Sequence, residues 1–87
     1  MIIKGLEFDC TCHGFPEQYD VKDSDGKIVG YVRLRWGYFR VDYPECGEET
    51  LLEADLGGFF RGRFDDDRER TRWLTIAADA IIRRMAK

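Results

Sequence analysis

Eighty-seven residues with 44% hydrophobic and 14% aromatic side chains fill one core, which excludes a multi-domain chain and a disordered one. A formal charge of −3 lacks the basic excess that draws a protein to nucleic acid through bulk electrostatics. The charge is uneven: residues 1–57 carry 6 Lys/Arg against 12 Asp/Glu, and residues 58–87 carry 8 against 5, a contrast expected of ordinary surface variation.

MIIKGLEFDC at the start has neither the basic n-region nor the apolar run of a signal peptide. No apolar run approaches the ~20 residues of a membrane span, so no membrane is expected as a partner. Three cysteines are an odd number in a chain without an export signal, which argues against a disulfide framework and for a cytoplasmic location.

Leu6, Phe8, Cys10 and Cys12 alternate along LEFDCTC and predict a strand over about 6–12. Glu17–Asp23 puts Tyr19 and Val21 on one face of a second strand, about 17–24. Asp25-Gly26 is a two-residue hairpin signal, because both central positions of a type I′ turn need φ > 0. It pairs Val21 with Gly30, Tyr19 with Val32 and Glu17 with Leu34, and sets the apolar residues on the face of Ile28, Val32, Leu34 and Trp36 in a third strand, about 27–36. A Gly37-Tyr38 turn of type II′ then pairs Trp36 with Phe39, Leu34 with Val41 and Val32 with Tyr43 in a fourth, about 39–43. Pro44 ends it, having no N–H for the ladder. Residues 50–55 (TLLEAD) supply a closing strand, and the Gly-rich 56–64 reads as a loop.

A helix is predicted over about 66–86. Asp65 or Asp66 can cap it, and Asp66 with Glu69 resembles a capping box. Acids open it, while Arg83, Arg84 and Lys87 close it, matching the macrodipole. Trp73, Ile76, Ala77, Ala80, Ile81 and Met85 make an apolar stripe. The expected fold is α+β: a four- to five-stranded antiparallel meander with one C-terminal helix on its apolar face, in a single domain over residues 1–87.

Three groups of residues can carry function. On the sheet face away from the helix, Arg33 is expected opposite Gln18 and Asp42, and Arg35 opposite Arg40, with Tyr31 and Tyr38 beside them. Two adjacent guanidiniums next to aromatic rings suit a carboxylate, a phosphate or a stacked base, although charges on a solvated strand face more often only keep it soluble. Cys10, Cys12, His13 and Cys46 include the ligand types of a closed zinc site. However, the usual C-x₂₋₄-C spacing is absent, C-x-C on a strand points both sulfurs one way, and no cofactor is the preferred reading. Phe59, Phe60 and Arg61 stand in GGFFRGRF, which matches no phosphate-loop pattern and has the aromatic and arginine content of a contact patch. Catalysis finds little support: His13 is the only histidine and Ser24 the only serine, and adjacent Cys12 and His13 turn apart on a strand.

The strings FPEQYDV (15–21), GYVRLRWGYFRVDYPECG (30–47) and FDDDRERTRWL (64–74) resemble a family of small bacterial and phage-borne proteins of uncharacterised function. The resemblance covers most of the chain after residue 12. It implies the order strand, hairpin, strand, helix, and implies no activity, cofactor or catalytic residue. The expectation is therefore a non-enzymatic module that binds a protein partner or another copy of itself. Nucleic-acid or anionic-ligand binding through the Arg/Tyr face is the alternative, disfavoured by net charge, and a small zinc domain is the third.

Overall fold

Alternating apolar and polar residues make strands of the first two thirds of the chain. The computed structural model describes residues 1–12, 16–58 and 62–86 and contains β1 (Ile2–Ile3), β2 (Leu6–Cys12), β3 (Glu17–Lys22), β4 (Ile28–Arg35), β5 (Tyr38–Tyr43) and β6 (Glu49–Asp55). They form one antiparallel meander in the order β1-β2-β3-β4-β5-β6, followed by one helix, α1 (Asp67–Met85). The α+β class holds, with six strands in place of four or five. The added strand pairs Ile2 with Glu7 and Ile3 with Leu6, and two residues are too few for a period to show.

Between β3 and β4 the expected pairs form: Glu17 with Leu34, Tyr19 with Val32, Val21 with Gly30. The turn itself differs. Gly26 N–H donates to Asp23 O, the Asp23 carboxylate accepts from the N–H groups of Asp25 and Lys27, and the register shifts so that Lys22 faces Ile28. The extra residue is taken up as a bulge at Val29. Val29 is thereby buried and Ile28 left 37% exposed, so Ile28 does not share the apolar face as expected.

The β4–β5 hairpin is displaced by two residues from the expected register. Leu34 faces Phe39, Val32 faces Val41, and Arg35 faces Tyr38. The turn residues are Trp36 (φ 56°) and Gly37 (φ 74°), both in the left-handed region of a type I′ turn. A slide of two preserves which face each side chain takes, so the core survives while Trp36 leaves it. The loop after β6 favours this choice. Leu56 N–H donates to Gly37 O at 2.8 Å, and a Cβ on Gly37 would lie 2.4 Å from Gly57 O and 2.7 Å from Gly58 O. Gly37→Ala therefore meets both a wrong-handed backbone and two carbonyls. A loss of about 2 kcal/mol or more is expected in urea denaturation, since the left-handed conformation alone costs roughly 1–2.

Leu34, Phe39, Val41, Leu74 and Ile81 are all fully buried, each contributing about 1.5–3 kcal/mol through removal from water. Asp66 caps α1, accepting from Glu69 N–H at 2.8 Å, while the Glu69 carboxylate accepts from Asp65 N–H at 2.9 Å; the reciprocal bond lands one residue before the cap. The buried stripe is Leu74, Ala77, Ala78 and Ile81, rotated from the one predicted: Trp73, Ile76 and Ala80 are half-buried and Met85 is 40% exposed. Gly30 explains the rotation in part, because a Cβ there would come within 2.5 Å of Ile81 Cδ1. The helix comes close to the sheet at Gly30, where the sheet has no side chain. No described helix is long and apolar enough to cross a membrane.

Candidate functional site

The outer sheet face, opposite α1, carries the predicted arginines in a different arrangement. Across the strands run Cys12, Gln18, Arg33, Arg40 and Glu53 in register. Arg33 thus faces Arg40, where Asp42 was expected, and Arg35 faces Tyr38, where Arg40 was expected. The slide of the hairpin moved each pairing by two residues. Arg40 is compensated along its own strand, with Nε 3.2 Å from Asp42 Oδ2 but outside hydrogen-bond alignment. Among the described residues, Arg33 and Arg35 form no such ion pair.

Asp42 is 1% exposed although it lies on the outer face. The β5–β6 connection explains this. Gly47 N–H donates to Asp42 Oδ2 at 2.9 Å and Thr50 Oγ1 to Oδ1 at 3.1 Å, which ties residues 44–48 down over that end of the sheet. Tyr31, expected on the open surface, is 7% exposed and donates through its hydroxyl to Gln18 Oε1 at 2.8 Å. Its phenol is held above the usual range by burial and by the nearby Cys46 sulfur. Tyr31 is a packed residue of this lidded end.

At the other end, the surface is open. Tyr38 is 42% and Trp36 56% exposed, and the Arg35 guanidinium carbon lies 5.7 Å from the centre of the Trp36 ring. Arg33, Arg35, Trp36, Tyr38 and Arg40 thus share the outer face and the tip of the β4–β5 hairpin. Trp36 was read as core. Its signal was the Trp-Gly dipeptide, whose glycine can hold either central position of a turn. Phe59, Phe60 and Arg61 lie outside the described residues.

The cysteines do not assemble. A bulge at Thr11 sets Cys10 opposite Tyr19 and Cys12 opposite Gln18, residues of opposite faces, so the expected common direction of the two sulfurs is lost. Among the described residues, no three His, Cys, Asp or Glu side chains come together as a metal site; His13 lies outside them.

One buried polar cluster escaped the sequence. Glu17 is 5% exposed on the helix side of the sheet. Its Oε1 accepts from Phe64 N–H (3.1 Å) and Arg70 Nη2 (3.2 Å), and its Oε2 from Arg70 Nε (2.6 Å) and from the Tyr19 hydroxyl. Burial pushes the carboxyl up, but the bonds from Arg70, Tyr19 and Phe64 outweigh it and hold it below its ordinary value. Four donors occupy the four lone-pair positions of this carboxylate, leaving none for a substrate. The cluster is structural. The segment 62–67 also lines an open hollow of about 680 Å³ with Arg70, where Asp66 caps the helix and Asp67 pairs with Arg70.

No protein-family model, curated protein or solved structure matches this chain.

Proposed function

We propose that this chain is a non-enzymatic binding module that engages a protein, either a partner or a second copy, through the open end of its outer sheet face: Arg33, Arg35, Trp36, Tyr38 and Arg40. The observation that carries the reading is Trp36. A bulky side chain held in the left-handed region costs roughly 1–2 kcal/mol, yet this one is more than half exposed beside an arginine. Trp, Tyr and Arg are the residue types that dominate binding energy at protein interfaces.

The test separates fold from function. Asparagine tolerates the left-handed region, so Trp36→Asn should leave the melting temperature unchanged or raised while abolishing association measured by sedimentation or with a captured partner. Arg35→Glu should weaken the same association without unfolding the chain. A monomer with no partner, indifferent to both changes, overturns the reading.

The facing pair Arg33 and Arg40 beside Tyr38 favours a second reading, in which the same surface holds an anionic ligand or a nucleic-acid strand. Fluorescence anisotropy with a single-stranded oligonucleotide decides. Binding that falls steeply with salt and is lost on Arg33→Ala supports it; no binding at low salt removes it.

A further inference from the structure

Strand β6 is the last of the sheet. Every second N–H and C=O along its outer side points away from β5 and lacks a sheet partner among the described residues. One side of this edge is apolar: Leu51, Leu52, Ala54 and Leu56 are partly exposed while packing on the core. Beside them Leu51, Thr50 and Glu49 border a groove of about 350 Å³ with Ala80, Arg83 and Arg84 of α1. The other side is acidic. Glu53 and Asp55 face outward in register with Arg40 and Tyr38, while Glu49 turns to the helix side and pairs with Arg84.

We propose that the β6 edge is a strand-addition site for an extended segment that alternates Lys or Arg with apolar residues. Backbone hydrogen bonds to β6 hold such a segment. Its apolar side chains continue the strip toward α1, and its cations meet Glu53 and Asp55.

The charge pattern selects this occupant over a second copy. Two β6 strands paired antiparallel with their helices on the same side set Glu53 against its own counterpart, or Glu53 against Asp55. With one copy flipped, Glu53 meets Leu52. Like charges directly opposite are destabilising, and an acid against leucine gains nothing. The acidic row therefore protects the edge from self-pairing and leaves it complementary to a basic strand. This site adjoins the Trp36 surface, since Arg40 and Tyr38 face Glu53 and Asp55. It rests on the β6 backbone edge, so protection of the β6 amides and the effect of Trp36→Asn can fail independently.

The probe is a synthetic peptide alternating Lys and Val, with a Glu-Val peptide as control, added to the full chain. Amide hydrogen exchange of residues 49–55 is followed by NMR at moderate salt. The Lys-Val peptide should slow exchange of the outward β6 amides about tenfold or more at saturation, and the Glu-Val peptide should not. Glu53→Lys with Asp55→Lys should invert that preference, and N-methylation of alternate peptide amides should abolish the protection.

Three results overturn the proposal. In one, no peptide protects β6. In another, the Lys-Val peptide shifts resonances near the acids without slowing exchange, which is ionic adhesion. In the third, β6 protection without peptide rises with protein concentration, which makes a second copy the occupant.

Discussion

Glu17→Ala should cost about 3–5 kcal/mol of folding free energy, the range for removing one partner of a buried ion pair. That is a large share of the roughly 5–15 kcal/mol available to a domain of this kind. The Arg70 side chain is 16% exposed and would keep its charge with only the solvent-exposed Asp67 carboxylate beside it. The Tyr19 hydroxyl and Phe64 N–H would lose their acceptor too, each leaving a desolvated donor. Because Glu17 N–H also donates to Gly62 O, the segment entering α1 is fixed to β3 on both sides of this residue. Glu17→Gln keeps an acceptor oxygen and should cost less.

The same cluster carries a pH signature. The folded Glu17 carboxyl lies below its ordinary value, so the native state favours its ionised form. Its contribution is present above the unfolded pKa and is lost as pH falls through the folded one. Urea denaturation should show wild-type stability falling below about pH 4, with a flatter decline in Glu17→Gln. Equal slopes would show that the carboxylate does not have this function.

Phe39→Ala should be about as costly, roughly 3–5 kcal/mol. The ring is fully buried, with centroids 5.3 Å from Trp73 and 5.9 Å from Phe64, and it sits between Leu34 and Ala54 in the sheet. Removing it opens a cavity among the sheet, the start of α1 and the segment before it, three parts that cannot all close in together. Phe39→Leu should lose only about 1 kcal/mol. Chemical denaturation gives the free energies, and a red shift in native Trp73 emission would report water entering the gap. A loss below about 1 kcal/mol for alanine would place the packing centre elsewhere.

Side-chain alternation made the faces of the sheet legible, and alternation survives any slide by an even number of residues. For this reason Val32, Leu34, Phe39 and Val41 were placed inside although the register of their hairpin was wrong. What chose the register was Gly37 against the carbonyls of Gly57 and Gly58, a contact twenty residues away in sequence that no local pattern contains. The same slide hid Trp36, the residue on which the proposed binding surface most depends. Tyr31 was misplaced for a related reason. Its face was right, but residues 44–48 fold back over it, and a short loop gives no periodic signal. Glu17 was readable in part, since pairing with Leu34 set a charge on the apolar side. Its partner, 53 positions further on, was not.

The order of the elements along the chain bears on how the protein is made. All six strands leave the ribosome before the helix that covers them. Hairpins can close locally as they emerge, but until Leu74, Ala77, Ala78 and Ile81 have been synthesised, the inner side of the meander has nothing to pack against. A released fragment ending near residue 65 would present that whole oily surface to solvent, and it should aggregate or bind chaperones where the chain with α1 does not.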